Sequence, residues 1–253
     1  MIKSKKLSKF RSINHGFFNK NGGVSKGIYK SLNCGIGSSD NKKDIKKNLK
    51  IVCKKLSSSH KKLVLLNQVH SNKFHFIEKK NKSFKRKLIG DALITNKKKI
   101  IIGILTVDCV PILIYDKNRK MISAIHAGWK GAYKGIVKKV INFFLKTGSE
   151  SKDLIAAIGP SISQNSYEIK RDFKNKFLDQ NKKNQTFFKK IKNKTYFGLN
   201  KYVYTQLKDL GIKKIDIIDK DTYNPKNNFF SARRSIHKKE NDYGRNISII
   251  MIN

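Results

Sequence analysis

The chain has 253 residues, 57 of them basic and 17 acidic, for a formal net charge of +40. Without a repeat or a Pro/Gly/Ser-rich linker, that length predicts one domain over residues 1–253 with a sizeable core. The longest apolar run, IIIGILTV, stops at Asp108 and is far too short for a transmembrane helix, while the basic start MIKSKKLSKF lacks the apolar core of a signal peptide.

Residues 10–37 read as a strand, a glycine turn and a glycine-rich connection. Residues 41–56 carry Ile45, Leu49, Val52 and Leu56 at helical spacing behind a lysine face. KLVLLNQVHSNKFHFIE gives two strand-like pieces around a polar break at Asn67–His70, and GDALITN and IIIGILTVDCVPILIYD supply further buried strands. MISAIHAGW is another strand, followed by a helix predicted from about Tyr133 to Lys146. DLIAAIGPSIS reads as strand and loop, followed by a basic helical region to about Lys183 and a helix from about Leu199 to Leu210. The strands KKIDIID and NISIIMI complete the chain. Intermixed strands and helices predict an α/β or α+β fold with a mixed, mostly buried sheet.

Three cysteines, Cys34, Cys53 and Cys109, are too few and too scattered for a disulfide framework, and the chain is expected in a reducing cytoplasm. Cys53 reads as a packing residue on the apolar side of its helix. Fifty lysines against seven arginines, spread throughout and accompanied by abundant Ile and Asn, indicate compositional drift. Specific nucleic-acid readers lean on arginine forks and aromatic platforms. Weak polyanion binding at low salt is expected instead.

Three chemically active side chains each stand at the polar end or break of a buried strand. His70 ends the run in NQVHS, Cys109 follows Asp108 in TVDCVPIL, and His126 precedes the turn in AIHAGWKG. Pro111 cannot donate to a central ladder, so the strand is predicted to end or bulge near it. Spacings of 39 and 17 residues are unlike a zinc finger and suit a site assembled from different strands. Two imidazoles and a thiolate are what a catalytic zinc needs, its fourth position left open, with copper the alternative soft-ligand metal. A cysteine nucleophile with a histidine base uses the same residues, and spacing does not decide between the two.

The segments NQVHS, GDALIT, TVDCVPILIYD, HAGWKGAYKGI, AAIGPSIS with YEI, and FFSARRS…GRNISII, preceded by HGFFNKNGGVSKGIYKSLNCGIGSSD, resemble in order the laccase-domain, or polyphenol-oxidase-like, family. The resemblance covers nearly the whole chain. It implies a single α/β/β/α-type layered domain with zinc on His70, Cys109 and His126. It also implies phosphorolysis of adenosine, inosine, guanosine and methylthioadenosine, together with adenosine deamination. An older description of the family, copper-dependent phenol oxidation, is ranked lower because one His/Cys/His site lacks the ligands of a multicopper enzyme. Within this frame Asn33, Lys130, Arg233 and Arg245 are candidate substrate contacts, and Asp91 and Asp108 candidates for orienting a ligating histidine. The chain departs from the family pattern where Leu49 replaces an arginine after Asn48, and where Asp221 stands for a cysteine. A cysteine hydrolase or amidase, and a basic RNA-associated binding protein, are the competing readings. Purine nucleosides and phosphate are the expected partners, with a monomer favoured and neither a specific nucleic acid nor a membrane expected.

Overall fold

The computed structural model describes residues 1–59, 62–78 and 88–253. The strands are β1 (Ile13–Phe17), β2 (Leu63–Val64), β3 (Phe74–Ile77), β4 (Ala92–Thr95), β5 (Ile101–Thr106), β6 (Val110–Asp116), β7 (Met121–Ala127), β8 (Leu154–Ile158), β9 (Glu168–Ile169), β10 (Phe188–Ile191), β11 (Lys194–Phe197), β12 (Lys214–Ile217) and β13 (Asn246–Ile252). The helices are α1 (Lys42–Lys54), α2 (Trp129–Tyr133), α3 (Ile136–Lys146), α4 (Arg171–Gln180), α5 (Leu199–Asp209) and α6 (Ala232–His237).

Two sheets form the centre. One has the order β1-β13-β5-β2 and the other β12-β8-β6-β7-β4-β3, each mixing parallel and antiparallel pairs. Alternate residues of each strand point to opposite faces, and the packing follows that rule. Leu113, Tyr115, Ile122, Ala124, Ile155 and Ala157 of the larger sheet meet Phe17, Ile102, Ile104, Ile250 and Ile252 of the smaller one. The other face of the larger sheet, with Ile112, Ile114, Ile125 and Ile158, packs under α2, α3, α4 and α5. The outer face of the smaller sheet, with Ile101, Ile247 and Ile249, is covered by Val52 and Cys53 of α1. The layers therefore run α/β/β/α, and strands buried on both faces read as continuous apolar runs.

Several boundaries differ from the sequence reading. The helix expected over 133–146 is α3, which starts later, at Ile136; Tyr133 ends the short α2 instead, and Gly135 between them has φ +78°, a left-handed conformation that favours glycine. The first predicted strand piece of KLVLL shortens to Leu63–Val64. The basic helical region ends at Gln180, and a hairpin of β10 and β11 follows. On α1 the inward polar residue is Asn48, fully buried, while Leu49 is half-buried. Asn48 accepts from the Val24 N–H and donates to Ser25 Oγ and to the Ser31 and Asn33 carbonyls, so it ties the glycine-rich connection to the helix. The interruption expected around Pro111 falls at 107–109, between the end of β5 and the start of β6.

Candidate metal centre

His126 lies near the end of β7, almost fully buried, its amide donating to the Asp91 carbonyl at 2.8 Å. Asp91 precedes β4, the neighbour of β7 in the sheet. Its carboxylate Oδ1 accepts from His126 Nδ1 at 2.8 Å and from the His70 N–H at 3.0 Å, and its Oδ2 accepts from Ser71 N and Oγ at 2.5 and 2.7 Å. One buried carboxylate thus fixes the ring of one histidine and the backbone of another. With Nδ1–H committed to Asp91, Nε2 is the ring nitrogen left for a metal, to which it would bind after giving up its proton, a common arrangement behind metal-bound histidines.

His70 is the solvent-facing member, held at φ +56° in the loop between β2 and β3. Gln68, two residues earlier, clamps that loop to β5: its amide donates to the Leu105 carbonyl at 2.7 Å and its oxygen accepts from the Leu105 N–H at 2.8 Å. Cys109 occupies the gap between β5 and β6, half-buried, its Sγ 3.6 Å from His70 Nε2. The two imidazole rings lie 4.8 Å apart, nearly edge-on. The potential ligand atoms of His70, Cys109 and His126 all fall within 4.8 Å of one another, and among the described residues they form the one such cluster.

Gly128 leaves the room this requires. A Cβ there would stand 2.5 Å from His70 Cδ2 and 2.9 Å from Cys109 Sγ. The thiol and the imidazoles polarise one another. Burial opposes ionisation of Cys109, but the His126 charge and hydrogen bonds from both imidazoles outweigh it and lower the thiol. Burial likewise opposes charge on His126, and the thiolate and Asp91 overcome it, raising the imidazole. Asp91 is opposed by burial and held at about 2 by the bonds from His126 and Ser71. Two imidazoles and a readily formed thiolate, braced from behind by a carboxylate, fit a soft or borderline divalent metal.

The other sequence-selected residues fall into distinct places. Among the described residues the Asp108 carboxylate hydrogen-bonds two hydroxyls and an amide, not a histidine. Its buried carboxylate accepts from Thr222 Oγ1 at 2.6 Å, Ser231 Oγ at 2.9 Å and the Arg233 N–H at 2.9 Å, and burial pushes its pKa up despite those bonds. It joins the Cys109 segment to the first turn of α6. Arg245 lines a cleft of about 490 Å³ together with His70, His126, Gln68 and Tyr243. Asn33 is buried and internally satisfied; its oxygen accepts from the Gly35 and Arg245 amides and its NH2 donates to Ser38 and Asp40. It shapes the loop beneath Arg245. Lys130 is exposed, 5.6 Å above the Trp129 ring. Arg233 faces a different cavity, on the Trp129 side. Leu49 packs on the core under α1 and is not among the described residues lining the cleft. Asp221 caps a turn, accepting from Ser163, Ser166 and Tyr223. Gln68 and Ser71 were visible within NQVHS but carried no signal separating them from an ordinary polar turn.

Residues 14–253 match the family model described as multi-copper polyphenol oxidoreductase laccase. The chain belongs to this laccase-like family. Curated relatives of the laccase-like protein carry the name purine nucleoside phosphorylase. One from Rickettsia conorii is 38% identical over 187 residues, covering 73% of this chain and 75% of the relative. Another from Haemophilus influenzae is 30% identical over 234 residues, covering 91% of each. The crystal structure of the YfiH protein of Bacillus licheniformis superposes with a TM-score of 0.87 at 27% identity, covering 95% of this chain and 93% of that one. These similarities support an enzyme of the phosphorylase kind. No helix among the described residues of the laccase-like protein is long and apolar enough to cross a membrane.

Proposed function

We propose that the protein is a zinc-dependent purine nucleoside phosphorylase acting on adenosine, inosine, guanosine and methylthioadenosine, with adenosine deamination as a second activity. The observation that carries this reading is the convergence of two imidazoles and a thiolate within 4.8 Å, at a cleft that also holds the Arg245 side chain. Zinc held by His70, Cys109 and His126 would supply Lewis-acid polarisation, the chemistry suited to replacing the adenosine amino group with water. The one such cluster among the described residues also favours zinc over the several coppers of a multicopper oxidase, which require more ligands than these three.

Phosphorolysis makes a bond from a phosphate oxygen to C1′ and breaks the C1′–N9 bond. The electron pair of the broken bond leaves on the purine, which takes up the proton that hydrogen phosphate gives up. The chain's own residues serve this by holding the anion and placing it. Arg245 is positioned by the Asn33 bond to its amide at 2.9 Å, and its guanidinium can pair with phosphate as a two-pronged donor. Asp91 holds His126 and the His70 loop in fixed orientation, which limits the reorganisation required during reaction. The test is to incubate the purified protein with adenosine, with and without phosphate, and identify the products. Adenine and ribose 1-phosphate formed only with phosphate support the reading, and inosine formed in either case supports the deaminase activity. Intact adenosine in both arms, with stoichiometric zinc present, overturns it.

A further inference from the structure

Arg245, which lines the cleft with His70 and His126, is held from several directions. Its stem runs across Gly35, where a Cβ would stand 2.8 Å from Cδ. Its amide donates to Asn33 Oδ1 at 2.9 Å, and its carbonyl accepts from the Cys34 N–H at 3.2 Å. The guanidinium lies 5.2 Å from the Tyr243 ring, and Nη1 donates to the Tyr243 carbonyl at 3.2 Å. Nη1 also stands 3.9 Å from Asp242 Oδ1, in an ion pair whose side chains are 25% and 19% exposed. The polar contacts of the guanidinium thus fall on Nη1, and among the described residues Nε and Nη2 have no hydrogen-bond partner. That leaves an edge able to form two parallel bonds with a phosphate.

Asp242 is itself fixed. Its Oδ2 accepts from the Tyr29 hydroxyl at 2.7 Å and from the Ser39 N–H at 2.8 Å. Burial opposes its charge, but the bonds from Ser39 and Tyr29 outweigh it and lower its pKa. Tyr29 and Ser39 belong to the glycine-rich connection between β1 and α1, whose Ile36 and Gly37 line the cleft. That connection is therefore fastened to residues 242–245 at two places, by Asn33 to Arg245 and by Tyr29 and Ser39 to Asp242. A carboxylate beside an anion-binding arginine has two opposed effects. Its charge repels the anion, while its contact with Nη1 fixes the donor. An arginine side chain is rich in rotamers, and ordering it beforehand removes a cost otherwise met on binding. Two hydrogen-bond donors and Nη1 already surround the Asp242 carboxylate, which offsets much of the repulsion, so the ordering effect wins.

Building on the phosphorolysis proposed above, we infer that Asp242, held by Tyr29 and Ser39, is a positioning residue that orders Arg245 for phosphate. Asp242→Asn, which keeps the shape and removes the charge, is expected to raise KM for phosphate about fivefold, the upper end for one ion pair of this kind. KM for inosine and kcat are expected to move less than about twofold. Tyr29→Phe leaves the Asp242 charge in place and frees the carboxylate, and it is expected to raise KM for phosphate about threefold, the effect of one lost hydrogen bond. A carboxylate acting only through its charge gives the opposite sign: Asp242→Asn then lowers KM for phosphate. That fall, or an unchanged KM in folded Asp242→Asn, overturns the inference; should Asp242→Asn not fold, an unchanged KM in Tyr29→Phe overturns it alone. Calorimetric titration of the zinc-loaded protein with inorganic phosphate at physiological salt, with the Arg245→Gln signal subtracted, reads the same contact without turnover. Phosphorolysis with phosphate affinity unmoved by Asp242→Asn overturns the inference and leaves the reaction standing. Weakened phosphate binding in Asp242→Asn, with no phosphorolysis by the parent protein, keeps the inference and overturns the reaction. A protein that neither binds phosphate through Arg245 nor phosphorolyses inosine overturns both.

Discussion

At the scale of single residues, Asp91 gathers the centre, since one carboxylate accepts bonds from His126, His70 and Ser71. Replacing any one of His70, Cys109 or His126 with alanine should remove most bound zinc and nucleoside cleavage together, because two ligands hold the ion poorly against water. Metal analysis beside an activity assay checks this. An inactive Cys109→Ala with His70→Ala nearly intact would instead indicate a cysteine nucleophile. Asp91→Asn keeps the shape but weakens the support behind His126. Zinc affinity is expected to fall about 10- to 100-fold, the usual effect of losing such a partner, as read by competition with a chelator. Gly128→Ala acts sterically, since its Cβ would intrude on His70 and Cys109 at 2.5 and 2.9 Å. It should lose zinc while the urea midpoint of the metal-free protein changes little; normal zinc binding would mean that the ligands adjust around the methyl group.

At the scale of elements, β1 carries a testable pH dependence. His15 is buried, and its Nε2 accepts from the Ser4 N–H at 2.9 Å, which requires the neutral ring. Burial first, then the Lys3 charge, lower its pKa to about 4 from the ordinary 6.5, against an opposing pull from Asp216. The unfolded chain therefore takes up this proton before the folded one. The stability is fully present above pH 6.5 and is lost as pH falls toward 4, by at most about 3 kcal/mol. His15→Gln, whose amide oxygen can still accept from Ser4, should flatten the decline in urea midpoint between pH 7 and 4; an unchanged slope would assign it to other groups. The elements themselves were unevenly legible. β5 through β8 stand out as apolar runs because both faces are covered. The β10–β11 hairpin is masked by lysines on outward positions, and the break at Gly135 lies within a pattern that reads as one helix. The three candidate ligands were legible because imidazoles and a thiol at strand ends are conspicuous. For Asp108 the sequence left both an orienting and a capping role open, because its hydroxyl partners, Thr222 and Ser231, lie 114 and 123 residues away, beyond any local pattern.

At the scale of the whole molecule, the charge of +40 needs a physical consequence. Asp91, Asp108, Asp116 and Asp153 are buried, so the surface is more positive still than the composition implies. The lysines are spread through the whole sequence, and among the described residues Arg245 is the one Lys or Arg lining the cleft at the metal cluster. A diffuse field of this kind attracts polyanions by releasing counterions, and such binding weakens steeply with salt. At physiological ionic strength the screening length is about 8 Å, so a diffuse surface field is largely screened. RNA should therefore associate at low salt and dissociate near 150 mM, and phosphorolysis measured at the higher salt should be unchanged by added RNA. The comparison to make is the initial rate with and without RNA at both salt concentrations, alongside a direct binding measurement. Inhibition that persists at physiological salt would mean that a polyanion occupies a functional surface, and the lysine excess would then belong to the mechanism and not to composition.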